Sequence, residues 1–212
     1  MVATWSVPCC CNVSWRTLLP FKEYLQFIVA FVARPDVVGA VTPSSTSLCR
    51  MMVDWIDWNH VDTVLEYGPG TGVCTAHIVS RIQPGARCLA IEINPEFVYT
   101  LRHRFPQVQI HQESVLNVKK LCDVEGIREV DAIISGLPWA CFSAAEQRRY
   151  LDATLTVLRP GGQFVTFAYL SGLLLAAGRR FRSQLYQRFA AVHRSRVVWR
   201  NIPPAFVYHC YR

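Results

Sequence analysis

Val64-Leu65-Glu66-Tyr67-Gly68-Pro69-Gly70-Thr71-Gly72-Val73-Cys74-Thr75 runs from an apolar strand, through a turn with glycine at every second position, into a helical pattern. Glycine suits such a turn because the chain bends tightly and its backbone must come close to a ligand. The amides of the turn and of the helix start then face that ligand as donors. Glu66, at the strand end, is placed to accept hydrogen bonds from a cationic amine. The glycines read G-x-G-x-G, which differs from the dinucleotide fingerprint G-x-G-x-x-G, and no Gly-Lys-Ser/Thr follows to make a Walker P-loop. A second carboxylate comes from the next strand. Ala90-Ile91-Glu92-Ile93-Asn94-Pro95 puts Glu92 20 residues beyond Gly72, where a strand-end carboxylate can accept both hydroxyls of a ribose. Ligands of open α/β sheets bind outside the carboxyl ends of the strands. Glu66, Gly68, Gly70, Gly72 and Glu92 are therefore expected to share one crevice.

Strands and helices alternate around this stretch. The apolar runs predict strands over 63–67, 87–93, 107–111, 130–135 and 163–169, with helices over 72–81, 95–104 and 144–158 between them. Arg159-Pro160-Gly161-Gly162 ends the last of these helices, and helical residues resume after 169 to about 189. Two β-rich runs, 191–200 and 205–211, flank Asn201-Ile202-Pro203-Pro204 and read as a closing antiparallel hairpin. The pattern is α/β: a Rossmann-like, mostly parallel sheet covered on both faces. Upstream, residues 1–14 show no periodicity and read as a mobile tail. Residues 15–33 form an apolar helix with a narrow polar strip, suited to a lid or a membrane interface. Thr42-Pro43-Ser44-Ser45 caps a further helix over 46–58. The domains are thus a tail at 1–14, apolar helices within 15–60, and the α/β domain at 61–212.

A hydrophobic content of 51% in 212 residues is rich, yet no uncharged apolar run reaches the ~18–20 residues of a spanning helix. The first residues make a poor signal peptide. Nine cysteines are scattered without a C-x-x-C pair and read as reduced thiols of a cytosolic protein. Charge is uneven. Asp152 is the last acidic residue, and nine arginines follow it in a chain of net charge +7. Such asymmetry points to an anionic partner.

Two further strand ends carry polar residues. His111-Gln112-Glu113-Ser114 follows the third strand, and Ile134-Ser135-Gly136-Leu137-Pro138-Trp139 closes the fourth. The E-x-G-x-G-x-G turn resembles motif I of the class I S-adenosylmethionine-dependent methyltransferases. In that pattern Glu92 and Ile93 meet the ribose and its surroundings, and Glu113 with the Ser114 amide meets the adenine. Ser135-Gly136-Leu137-Pro138 occupies motif IV, which reads Asn/Asp-Pro-Pro-Tyr in amino methyltransferases of nucleobases. Here the side-chain amide is missing, Leu137-Pro138 supplies carbonyls, and Trp139 offers a face that suits an ammonium, stacks on a base or packs in the core.

Gly39-Ala40-Val41-Thr42-Pro43-Ser44-Ser45, the glycine turn, Ser135-Gly136-Leu137-Pro138, Leu158-Arg159-Pro160-Gly161-Gly162 and Asn201-Ile202-Pro203-Pro204-Ala205-Phe206-Val207-Tyr208 occur in this order. Together they resemble the bacterial phospholipid N-methyltransferases and the related ornithine-lipid N-methyltransferases, which are similar in their core to the rRNA adenine dimethylases. The resemblance implies a seven-stranded sheet and methyl transfer from S-adenosylmethionine to a lipid amine, phosphatidylethanolamine or ornithine lipid. It departs from the family at Glu113, where Asp is usual, and at Trp139. Arg179, Arg180 and Arg182 are candidates for the anionic part of the head group. Ser135, Gly136 and Leu137 would border the reacting amine, with Tyr169, Tyr208 and His209 as candidate proton acceptors or orienting groups. The expected partners are an anionic membrane surface and the aminolipid, with no nucleic acid and no obligate protein partner. The expected location is cytoplasmic, peripheral to the inner face of the cytoplasmic membrane. The rival activity is an rRNA adenine N6-dimethyltransferase; a non-catalytic binding module and a small-molecule methyltransferase are the others.

Overall fold

The computed structural model describes residues 43–201 and 203–212, so the tail at 1–14 and the apolar helix expected over 15–33 lie outside the described residues. The described chain opens with α1 (Pro43–Asp54) and a 3-10 turn (Trp58–His60). There follow β1 (Thr63–Tyr67), α2 (Val73–Val79), β2 (Arg87–Glu92), α3 (Pro95–Arg104), β3 (Gln109–Gln112), α4 (Val118–Val124) and β4 (Val130–Ser135). The last third holds α5 (Ala144–Val157), β5 (Leu158–Tyr169), α6 (Ala176–Arg188), β6 (Ala191–Arg194) and β7 (Ala205–Tyr211). Local chemistry fixes several of these starts. Asn94 accepts from the Glu96 amide with Pro95 at the first helical position, and Ser143 with Glu146 forms a reciprocal capping box at α5.

The seven strands run in the order β3-β2-β1-β4-β5-β7-β6, with β7 antiparallel to both its neighbours. Alternation along β1 divides the core. Val64 joins the layer of α1, α2 and α3, with Met52, Ile78 and Leu101, while Leu65 and Tyr67 join the layer of α4, α5 and α6. Glu66 has the parity of Val64 and is therefore carried into the first layer. The register pairs Tyr67 with Ile91 and with Ser135, and Glu92 with Gln112. Gly68, Ile93, Glu113 and Gly136 thus leave the sheet along one edge.

The structure departs from sequence expectation at several places, three of which bear on the sheet and the cysteines. The fifth strand begins at Leu158 and takes in the Pro-Gly-Gly stretch: Gly161 adopts φ +73° and donates to Arg212 O, and Arg212 N donates back to Gly162 O. The run 191–200 is strand only to Arg194, because the Ser195 hydroxyl accepts the Val207 amide in place of a ladder carbonyl. Cys49 of α1 and Cys74 of α2 are disulfide-bonded, with Cα atoms 4.9 Å apart, which corrects the expectation of reduced thiols throughout. Cys88, Cys122, Cys141 and Cys210 are free and buried. Among the described residues, no helix is long and apolar enough to cross a membrane.

Candidate functional site

The glycine turn is left-handed at all three glycines, with φ of +63° at Gly68, +55° at Gly70 and +81° at Gly72. A side chain at any of them would be strained. Gly72 is also packed: a Cβ there would lie 2.6 Å from the Phe105 ring and 2.8 Å from Leu101. The ladder continues one residue past the strands, since Gly68 N donates to Ile91 O at 2.9 Å and Gly136 N to Tyr67 O at 2.8 Å. A Cβ on Gly136 would sit 2.7 Å from Gly68 O, so motif IV touches the glycine turn only because residue 136 has no side chain.

Two carboxylates converge beneath and beside this turn. Glu92 accepts from Gly70 N at 3.1 Å through one oxygen, and from Ile93 N and Asn94 N at 2.8 and 2.9 Å through the other. It therefore braces the turn from the end of β2. Ile93, next to it, is 74% exposed, an uncovered apolar face at the edge of the crevice. Glu66 is 1% exposed and lies under α2, where Thr75 Oγ1 donates to it at 2.7 Å. Burial pushes its carboxyl up to about 8; the Thr75 bond opposes this, and the negative charge of Glu92 adds to it. Glu66 thus lies beneath the turn, with its side chain closed off from solvent. Thr75, three residues beyond the last glycine, was not anticipated; a hydroxyl in the first turn of the helix was the available signal.

At the end of β3, Glu113 Oε1 accepts from Ser114 N at 2.7 Å and from Asn117 Nδ2 at 2.9 Å. These bonds, Asn117 first, hold its carboxyl below the ordinary glutamate value. Ser114 Oγ in turn caps the short 3-10 turn Val115–Asn117. Glu113 and Ser114 thus share the edge with Glu92, while the Ser114 amide is engaged by the neighbouring carboxylate.

Motif IV divides into a buried and an open part. Ser135 is fully buried, and its hydroxyl accepts from Trp139 Nε1 at 3.1 Å. Trp139 is 2% exposed, stacked on Phe181 at 4.7 Å and edge-on to Phe142, Tyr150 and Phe164. Its face is spent on the core, which corrects its assignment to a substrate ammonium. Gly136, Leu137 and Pro138 are half-buried at the crevice. The Leu137 and Pro138 carbonyls accept from Trp139 N and Cys141 N within the turn, whereas the Gly136 carbonyl accepts no hydrogen bond among the described residues.

The remaining candidates separate. Tyr169 is half-buried at the end of β5 and borders an apolar cavity of about 30 Å³ with Phe167, Leu173, Phe181 and Tyr208. Tyr208 is 1% exposed; its hydroxyl has no partner, and burial pushes it up to about 12, which makes it a poor proton acceptor. His209 pairs with Val165, well below the edge, and holds Gln163 Oε1 at 3.0 Å. Burial lowers its imidazole to about 4, so it is a neutral packing residue, not an acceptor at the site. Arg179 and Arg180 stand exposed in the first turn of α6, Arg179 donating to Leu174 O at 2.6 Å. Arg182 is exposed one turn on, over the Tyr186 ring.

The donor set fits S-adenosylmethionine. Glu92 is a strand-end carboxylate of the kind that accepts from ribose hydroxyls, Ile93 an exposed apolar face on which a purine could pack, Glu113 a carboxylate that could accept from an exocyclic amine, and the left-handed glycines admit close approach. A family model described as a methyltransferase domain matches residues 64–162. The chain is 29% identical over 192 residues to the ornithine lipid N-methyltransferase of Singulisphaera acidiphila, covering 89% of this chain and 96% of that relative. It is 27% identical over 179 residues to an uncharacterized methyltransferase of Mycobacterium tuberculosis, covering 78% and 69%. Among solved structures, an O-methyltransferase from Bacillus cereus in complex with SAH aligns with a TM-score of 0.65 at 16% identity, over 92% of this chain and 94% of that one. The O-methyltransferase TomG from Streptomyces achromogenes aligns with a TM-score of 0.63 at 16% identity, over 86% and 88%. Both share the fold.

Proposed function

We propose that this chain, a class I S-adenosylmethionine-dependent methyltransferase, methylates the amine of a membrane aminolipid, with ornithine lipid ahead of phosphatidylethanolamine. The observation that carries the proposal is the end-to-end similarity to a relative named for ornithine lipid, spanning 96% of that relative. Motif IV supports it. Lacking a side-chain amide and with Trp139 buried, it has neither the clamp nor the stacking face that a nucleobase amine requires. The rRNA adenine reading loses its main support there.

S-adenosylmethionine, when bound, supplies a sulfonium methyl group open to attack by an uncharged amine. Glu92 would hold the ribose, Ile93 and Glu113 the adenine, and the Ser114 turn the ring edge. Glu66, neutral under the turn at pH 7, would ionise when an ammonium arrives above it. On the acceptor side the Gly136 carbonyl would accept an N–H of the substrate amine and aim its lone pair, with Leu137 and Pro138 excluding water. Exclusion of water lowers the pKa of an amine and so frees that lone pair. Alignment of nitrogen with the methyl group supplies much of the rate. Arg179 and Arg180 would take the anionic part of the head group.

The test is transfer of label from S-adenosylmethionine to liposomes containing ornithine lipid or phosphatidylethanolamine, with 30S ribosomal subunits in parallel. Label in the methylated products of one lipid supports the reading and names the acceptor. Label in RNA alone refutes it.

A further inference from the structure

The acceptor half of the sheet edge ends in two irregular segments, the 3-10 turn Leu170–Leu174 that leaves β5 and residues 198–201, 203 and 204 ahead of β7. They are joined, since Leu170 N donates to Pro204 O at 2.8 Å. The second is braced by Val198 N to Ala205 O at 2.7 Å and by Asn201 Nδ2 to Pro203 O at 2.6 Å. On this braced rim three large apolar side chains stand in solvent, Leu174 (79% exposed) and Leu175 (39%) on the side of α6 and Trp199 (70%) on the side of α1. Arg179 and Arg180 flank the leucines, and Arg196 and Arg200 flank the tryptophan, all four exposed. Among the described residues none of these four has a carboxylate partner, whereas Arg81, Arg87, Arg159 and Arg188 all do. Between Leu175 and Arg180 lies a mostly apolar hollow of about 410 Å³, walled by Ala140, Phe142 and Ala177.

One exposed leucine on a protein is ordinary. Three large apolar groups set among arginines that no described carboxylate neutralises, on the edge where Gly136 and Tyr169 stand, are not. We propose that this rim is the face by which the enzyme docks on an anionic bilayer, Leu174, Leu175 and Trp199 entering the head-group boundary and the arginines meeting lipid phosphates. A tryptophan with leucines suits that depth, and guanidinium groups bind phosphate oxygens in pairs. The net positive charge of the segment after Asp152 selects a negatively charged surface. The proposal rests on the aminolipid reading: a substrate that stays in its bilayer must present its amine to a crevice mouth lying against that bilayer. An acceptor free in water would require neither the leucines nor the arginines.

The experiment is co-sedimentation of the full chain with phosphatidylcholine vesicles containing phosphatidylglycerol, without S-adenosylmethionine, for wild type and the variants L174S/L175S and W199A. The control is V124S, at a side chain 77% exposed at the end of α4, away from this rim. Removal of both leucines should weaken partitioning on the order of ten-fold or more, W199A should weaken it too, and V124S should match wild type. Omitting phosphatidylglycerol or raising salt should weaken wild type as the arginine contribution is screened. Methylation of detergent-dispersed ornithine lipid by L174S/L175S should stay within about two-fold of wild type, which shows that the variant folds. Wild-type binding by L174S/L175S overturns the proposal, as does retention on 30S subunits with none on vesicles. Docking by this rim with no lipid methylated would refute the substrate reading and leave the docking surface standing.

Discussion

Raising pH from 6.5 to 8 should destabilise the ligand-free protein, and Glu66 should be the reason. Its carboxyl is buried under α2, and burial moves it from an ordinary 4.5 to about 8. Between those values the unfolded chain has lost this proton while the folded chain keeps it. Stability is therefore full below about 4.5 and is lost as pH rises through about 8. Each pH unit in that interval costs about 1.4 kcal/mol, roughly 5 kcal/mol over the whole of it and about 2 kcal/mol between pH 6.5 and 8. The window starts at 6.5 because His209 acts below it. With an imidazole lowered to about 4, His209 takes stability away as pH falls from 6.5. Guanidinium unfolding across pH 6.5–8 should show the decline in wild type and a much flatter curve in Glu66→Gln, which has no proton to lose. Parallel curves would mean that Glu66 is ionised in the fold and that the buried-acid reasoning fails. A second arm tests the proposed role. If the ammonium of S-adenosylmethionine sits above Glu66, binding at pH 7 should release up to about one proton. Calorimetry in two buffers of different ionisation enthalpy measures that release, and equal binding enthalpies would refute it.

Gly136→Ala would place a methyl group 2.7 Å from Gly68 O, so the glycine turn must shift; cofactor affinity and turnover should both fall, on the order of a hundred-fold in kcat/KM, with the fold intact by circular dichroism. Trp139→Ala should lose about 3–5 kcal/mol in stability, because it empties a site packed by four rings, and Trp139→Phe should lose less; a change in KM with unchanged stability would restore the tryptophan as a substrate contact. Cys49→Ser should lower thermal stability by the worth of a cross-link spanning 25 residues, about 3.5 kcal/mol by chain entropy, and dithiothreitol should bring wild type to the same level; wild type indifferent to dithiothreitol would refute the linkage.

The cofactor half was legible because each of its demands leaves a mark on composition. A left-handed turn asks for glycine, and three alternate glycines supply it. A carboxylate one strand away from that turn is read directly from the sequence, and Glu92 stands there, bracing Gly70. Side-chain direction was harder to read. Period-2 alternation puts Glu66 on the face of Val64 and sends it under α2, a consequence available from sequence but weaker than the pull of a familiar motif. The short helix Val118–Val124 escaped because seven residues with two lysines carry little periodicity. The Cys49–Cys74 bond escaped because it depends on how α1 lies over α2, a distance that spacing along the chain does not contain.

Trp139 shows why the acceptor half resisted. A tryptophan next to Ser-Gly-Leu-Pro reads as an open aromatic face, and only three-dimensional packing decides otherwise. Ser135 holds the indole N–H at 3.1 Å from inside the strand end, and Phe181, 42 positions further along, stacks on its face. Gln147 completes the anchor, donating to Trp139 O at 2.8 Å and to Ala177 O at 3.1 Å, while Gln184 donates to Gln147 at 3.1 Å. A buried amide satisfied on several sides fixes one geometry, since displacing it would strand its polar atoms away from water. The tryptophan therefore works as a post between motif IV and α6. It sets the Gly136 carbonyl at the crevice and the first turn of α6, with Arg179 and Arg180, at the rim. On the proposed reading, the chemistry of the acceptor side comes from backbone and from arginines in solvent, held in place by residues buried away from the crevice.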